Sequence, residues 1–220
     1  QVWYCGKPLS LWDSYGLSQY ELGAGSLSED ARGRWYLNVT VKSLVHTKPQ
    51  SPQKSAAVGI DLGLKSLMCD SEGGEVPAQN FYRDLEPQLA IAQRAGKKNR
   101  VRAIHAKIAN RRKDHLHKLS TRQVREHAAI FVGNVNASGL AKTHQAKSVL
   151  DAGWTTYRTM LQYKCHQAGV WFKEVNESYT TQECHVCHHR TGPKGREELG
   201  VREWTCSHCG AQHKRDVNAA

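Results

Sequence analysis

Ala56-Ala57-Val58-Gly59-Ile60-Asp61-Leu62-Gly63 is a stretch fit for burial that carries one carboxylate in its middle. Its small and branched apolar residues suit a buried strand. An isolated aspartate in such a strand costs roughly several kcal/mol unless it is paired or metal-bound, so Asp61 is a candidate functional acid. Downstream, residues 64–69 keep extended character, Ser71-Glu72-Gly73-Gly74 reads as a tight turn, and residues 75–82 as a return strand. A helix is predicted over about 89–128 and a second buried strand over 129–135. A long helix follows over roughly 146–168 with Gly169 as its C-cap, and a last strand over 170–175. Upstream, residues 2–5, 18–22 and 34–41 read as strands, with Gly33 supplying a turn, and residues 46–54 as a Pro-containing linker. The order is that of an α/β domain, with no internal repeat.

The 220 residues hold 31 Lys and Arg against 20 Asp and Glu, a net charge of +11. No apolar run approaches the ~18 residues of a membrane span, and no signal-peptide pattern opens the chain. This argues against a membrane protein and against secretion. The chain opens at Gln1 rather than Met and stops at Asn218-Ala219-Ala220, which reads as a piece of a longer protein.

The charge is concentrated. Residues 94–125 hold twelve basic residues against Asp114 alone, so this stretch carries the whole net excess. Val101, Ile104, Ile108, His115 and Leu119 recur there at helical steps, and the basic residues fill the other faces. A solvated helix surface is one reading. Such surfaces normally mix signs, and an unmixed one calls for a polyanion. Arg100, Arg102, Lys107, Arg111, Arg112 and Lys118 are the candidate nucleic-acid contacts.

Cys184-x-x-Cys187 and Cys206-x-x-Cys209 lie 18 residues apart. Paired CxxC knuckles at that spacing point to a structural zinc ribbon, four thiolates holding one Zn2+. Two disulfides are the alternative, which the lack of a secretory signal disfavours. Trp204 and Val201 are expected to pack on this module, and His185, His188, His189 and His208 to face solvent or phosphate. Cys5, Cys69 and Cys165 lack partners at metal spacing and read as small buried hydrophobes. Asp216, after the second knuckle, is either a helix N-terminal acid or part of a site.

Gly59-Ile60-Asp61-Leu62-Gly63, the paired CxxC motifs and Arg215-Asp216-x-Asn218-Ala219-Ala220, in that order, resemble the TnpB/OrfB family. These are transposon-encoded, RNA-guided nucleases related to the type V CRISPR effectors. Gly33-Arg34-Trp35-Tyr36-Leu37-Asn38-Val39 also looks like the family's strand before its nuclease domain, so the resemblance covers essentially the whole chain. It implies a RuvC-type, RNase H-like nuclease domain over 56–180 and a zinc ribbon inserted over 181–212. Residues 213–220 would start the last nuclease segment, and residues 1–48 would be part of a β-barrel wedge domain that grips guide RNA. Asp61 and Asp216 match the family's first and last catalytic aspartates. The implied cofactors are two catalytic Mg2+ beside the structural Zn2+. The implied partners are guide RNA and target DNA, in a prokaryotic cytoplasm near the nucleoid.

One position departs from the family. Its usual glutamate at the end of the second buried strand is here Gly133, which cannot bind a metal. Either the enzyme is inactive and binds DNA without cutting it, or another carboxylate has moved in. Glu177, after the strand 170–175, could reach the same point from a neighbouring strand end. Glu174 is the second candidate, and Glu177 could also be an ordinary loop acid.

Overall fold

The structure, a computed structural model, describes residues 2–13, 16–42, 57–142, 144–195 and 197–220. The chain divides into two compact units, 1–45 and 46–220. The predicted linker 46–54 lies outside the described residues.

The first unit is two antiparallel hairpins. Strands β1 (Val2–Tyr4) and β2 (Lys7–Leu9) pair around a turn at Cys5 and Gly6, whose φ angles are 49° and 73°. The strand expected over 2–5 is therefore one arm of a hairpin. Cys5, expected to be buried, is exposed at its tip. Strands β3 (Glu21–Glu29) and β4 (Trp35–Lys42) pair with Leu27 opposite Leu37. The strand expected at 18–22 starts late because residues 17–19 form a 3-10 turn. Asp30 closes the second hairpin by accepting from the backbone N–H of Arg34 (3.0 Å) and Arg32 (2.8 Å). Those bonds, the Arg34 amide foremost, and the Arg34 guanidinium hold its carboxyl well below the usual carboxylate range.

The second unit is built on a five-stranded sheet. Its strands are β5 (Val58–Leu62), β6 (Ser66–Asp70), β7 (Glu75–Pro77), β8 (Ala129–Gly133) and β9 (Trp171–Val175). Their spatial order is β7-β6-β5-β8-β9. Strands β5, β8 and β9 are parallel, and β6 runs antiparallel to both β5 and β7. The return strand expected over 75–82 ends at Pro77, since Pro has no N–H for the ladder.

Strand β5 alternates: Val58, Ile60 and Leu62 are buried, whereas Gly59 and Asp61 face the other way. The first set, with Met68, Ile130 and Val132, packs against helices. These are α2 (Lys98–Glu126), α4 (Ala146–Ala152) and α5 (Trp154–Ala168), contributing among others Leu116, Val149, Tyr157 and Leu161. A short α3 (Ala137–Leu140), not expected from the sequence, follows β8 with Asn136 accepting from Gly139 N–H at its cap.

Two helices expected to be continuous are broken by left-handed glycines. Helix α1 (Glu86–Arg94) is separate from α2 because Gly96, at φ 63°, ends it. Lys97 N–H bonds to the Ala92 carbonyl and Gly96 N–H to that of Gln93, the Schellman pattern. Leu85, Leu89 and Ala92 then pack against Ile104 and Ile108 in a second small cluster. Gly153, at φ 68°, separates α4 from α5, and a Cβ there would lie 3.0 Å from the Leu116 side chain of α2. Glycine thus allows both the turn and the close approach of α2.

Strands β10 (Glu203–Thr205) and β11 (Gln212–Lys214) form a hairpin, and α6 (Arg215–Ala219) follows directly. Among the described residues, no helix is long and apolar enough to cross a membrane.

Candidate active site

The parallel register brings three strand ends level. Val58 pairs with Ile130 and Ile60 with Val132, so the same register carries Asp61 level with Gly133, which pairs with Val175. Level residues of parallel neighbours project from the same face. Asp61 and Gly133 therefore share the face opposite the α2–α5 layer. Helix α6 lies against that face: a Cβ at Gly59 would overlap the carbonyl of Ala220, 2.6 Å from its carbon. Asp216 thereby comes close enough to raise the pKa of Asp61. That pKa is pushed up to about 6, by burial first and by the Asp216 charge second, with Arg215 pulling the other way.

The space beside Gly133 is filled. A Cβ on residue 133 would overlap the Glu177 carboxyl, 2.5 Å from its Cγ and 2.6 Å from its Cδ. The Glu177 side chain thus lies where a side chain at 133 would begin. Its backbone N–H donates to Asn134 Oδ1 (3.3 Å). Its Oε1 is buried without a hydrogen-bond partner. Burial, and then the charge of Asp61, raise its pKa.

Glu174 does not come to this point. It pairs with Val132, which faces the helical core, and its carboxylate meets Arg158 of α5 at 3.5 Å. It lies on the wrong face of the sheet.

Asp216 is held by a residue that the sequence did not single out. Arg202 Nη1 donates to both of its carboxylate oxygens, at 2.9 and 3.1 Å. The chemistry of the set suits a divalent cation, because Asp61 is ionised against the Asp216 charge, Glu177 against the Asp61 charge, and an orphaned buried carboxylate oxygen also wants positive charge. The three carboxylates do not draw their oxygens within 4.8 Å of one another; among the described residues, only two cysteine-containing sets do.

The four knuckle cysteines converge. Cys184 and Cys209 Sγ lie 3.7 Å apart, Cys187 and Cys206 Sγ 3.6 Å, and all four sulfurs fall within 4.8 Å of one another. Tetrahedral zinc with Zn–S bonds of about 2.3 Å requires sulfurs about 3.8 Å apart, so the set fits one Zn2+. All seven cysteines are free thiols, which removes the disulfide alternative. His213 Nε2 lies 3.1 Å from Cys184 Sγ, a supporting contact not expected from the sequence. Trp204 packs on His213 with ring centroids 4.5 Å apart, whereas Val201 is exposed rather than packed.

His185, His188, His189 and His208 are exposed. Cys187, His189 and His208 also place ligand atoms within 4.8 Å. However, the two imidazoles stack 3.5 Å apart at 10°, so no single point lies in both ring planes, where their lone pairs point.

Along α2, Arg100, Arg102, Lys107 and Arg111 are exposed, and Lys118 is exposed beside Asp114 at 2.7 Å. Arg112 is a correction to the expected set. Its guanidinium pairs at 2.9 Å with Asp151 of α4, whose side chain is only 6% exposed. Asp151 also accepts from the backbone N–H of Tyr82 at 3.0 Å. Arg112 is thus a structural cation that offsets a buried carboxylate.

Comparison with known proteins agrees with this layout. A family model described as "Probable transposase" matches residues 38–144, and one described as "Cas12f1-like, TNB domain" matches residues 154–220. A Streptomyces pristinaespiralis protein named "Putative RNA-guided DNA endonuclease" is 37% identical over 209 residues, covering 89% of this chain and 50% of the relative. The Escherichia coli K12 protein named "Putative RNA-guided DNA endonuclease InsQ" is 30% identical, covering 86% and 52%. The chain therefore spans about half the length of the curated relatives it matches. The solved structure of a Cas12f1–sgRNA–target DNA complex superposes with a TM-score of 0.56 at 14% identity, over 87% of this chain and 53% of that one, a likeness of fold. With these matches and the motifs Gly59–Gly63, CxxC…CxxC and Arg215–Ala220 in family order, the chain is similar to the TnpB/OrfB family over most of its length.

Proposed function

We propose that this chain is the nuclease core of an RNA-guided, Mg2+-dependent DNA endonuclease. The observation that carries the proposal is the Glu177 carboxyl lying in the space of the Gly133 side chain. A dead site would exert no demand for a third acid there. The sheet order β7-β6-β5-β8-β9, with β6 antiparallel, supports an RNase H-like, RuvC-type reading of residues 56–180. Residues 181–212 are then an inserted zinc ribbon, residues 213–220 the start of the last nuclease segment, and residues 1–48 part of a wedge that holds guide RNA.

Asp61, Glu177 and Asp216 would hold two Mg2+, which supply an activated water and neutralise the leaving oxygen of the phosphodiester. The chain's own part is positional. Strand ends of β5 and β9 aim two of the acids, α6 aims the third, and the buried sheet face keeps Asp61 poor in water. Asp61, whose pKa is near 6, and Glu177, also raised, must be deprotonated before they can hold a cation. The exposed cations of α2 would track a nucleic-acid backbone without reading sequence, leaving specificity to pairing with the guide.

The second reading, a nuclease-inactive RNA-guided DNA-binding protein, is favoured by Gly133 alone. Cleavage of guide-matched DNA in Mg2+ by the guide-loaded protein separates the two. Cleavage that is abolished by Glu177→Ala and retained by Glu174→Ala is expected. Guide-dependent binding with no cleavage by the wild type would refute the endonuclease reading.

A further inference from the structure

We infer that Asn218 is a positioning residue that couples the first zinc knuckle to the carboxylate site. Zinc on the cysteines thereby governs how firmly Asp216 and Glu177 are held for their cation. The inference rests on the two-cation reading above and concerns a different residue.

Helix α6 has five residues, far below the length at which a helix is stable on its own. The position of Asp216 must therefore come from tertiary bonds, and Asn218, one turn-half further along, makes four of them with a single amide. Its Nδ2 donates to the carbonyls of Thr180 (3.0 Å) and Glu183 (2.7 Å). Its Oδ1 accepts from the backbone N–H of His185 (3.2 Å) and from His185 Nδ1 (3.0 Å). Both donors and both lone pairs are used, which exhausts what a side-chain amide can offer.

These partners sit at two sensitive places. Glu183 and His185 flank Cys184, so the peptide that Asn218 grips is the one that presents a zinc ligand. Thr180 donates from its N–H (3.3 Å) and its Oγ1 (3.1 Å) to the carbonyl of Glu177. One amide thus joins the helix bearing Asp216, the knuckle bearing Cys184, and the loop bearing Glu177. Ordering of the knuckle by zinc is then transmitted to both acids, and by linkage cation binding at the acids must favour zinc retention.

The test uses the zinc-loaded chain and Mn2+ as the calorimetric probe. Asn218→Ala should keep one zinc per chain and the far-UV melting profile while weakening Mn2+ about tenfold, the low end for loss of a supporting contact at a metal site. In the wild type, Mg2+ should tighten zinc retention against a chromophoric chelator, a measurement that needs no variant and decides the matter if Asn218→Ala does not fold. Unchanged Mn2+ affinity in a folded Asn218→Ala, or zinc affinity indifferent to Mg2+ in the wild type, would overturn the inference. If the wild type binds no Mn2+ at all, the two-cation reading itself falls, and the coupling falls with it.

Discussion

Removing the charge of Asp61 should stabilise the protein when Mg2+ is absent. Unfolded, this carboxyl releases its proton near 3.8; folded, near 6. At about 1.4 kcal/mol per tenfold change in proton affinity, the folded state carries a cost of about 3 kcal/mol above pH 6, where both states are ionised. Between pH 6 and about 4 the folded protein takes up a proton that the unfolded chain does not, and the cost fades. Asp61→Asn keeps an acceptor for the Leu62 N–H and has no charge to bury. Urea unfolding in Mg2+-free, zinc-replete buffer should therefore show the variant more stable by up to about 3 kcal/mol at pH 7.5, or about 6–12 °C in Tm for a chain of this size. The gap should shrink to about 1 kcal/mol near pH 4.5 and close only below about pH 3.8, the shared titrations cancelling in the difference. Saturating Mg2+ should erase the advantage, because only the wild type gains from binding. A variant less stable than wild type at pH 7.5 without Mg2+, or a gap that does not change with pH, would show that Asp61 carries no burial cost.

Further expectations follow from the same geometry. Gly133→Ala puts a Cβ into the Glu177 carboxyl and should lower guide-directed cleavage at least tenfold with about 1–3 kcal/mol lost by overpacking, whereas Gly133→Glu combined with Glu177→Ala should recover cleavage. Cys184→Ser should drop the zinc content, measured by atomic absorption, from one per chain to near zero and open residues 181–212 to proteolysis. Arg112→Ala should cost about 3–5 kcal/mol in denaturant unfolding by stranding Asp151; Arg111→Ala should leave stability unchanged and reduce the salt slope of nucleic-acid binding by about one. Arg202→Ala frees Asp216 of its guanidinium, so Mn2+ should bind severalfold tighter by calorimetry, and weaker binding would show that Arg202 holds the acid in place for the cation.

The legible parts of this protein are those whose meaning is local. Two CxxC pairs declare a four-thiol site because each pair is a single turn, and the four sulfurs do converge. A buried stretch with one acid declares itself at Asp61, and the concentration of charge in 94–125 is a matter of counting. Helix continuity was less legible. Gly96 and Gly153 stand in helical patterns where a glycine is tolerated; the turn at Gly96 is closed by its own Schellman bonds, whereas the turn at Gly153 makes room for Leu116 and Arg112, distant in sequence.

Composition and short spacings sufficed to place the paired cysteines, the isolated acid at Asp61, the run of elements along the chain and the concentration of positive charge. The sequence raised Glu177 and Glu174 as rivals but could not choose between them. Which acid lies beside Gly133 was settled by the three-dimensional fold, because the choice turns on which face of β9 each side chain leaves and where the chain goes after Val175. The fold likewise decided that Arg112 answers to Asp151, 39 residues away, and that Asn218 answers to a cysteine knuckle more than 30 residues before it. Such contacts are made by sheet register and helix packing, and neither is written in the spacing of neighbouring residues.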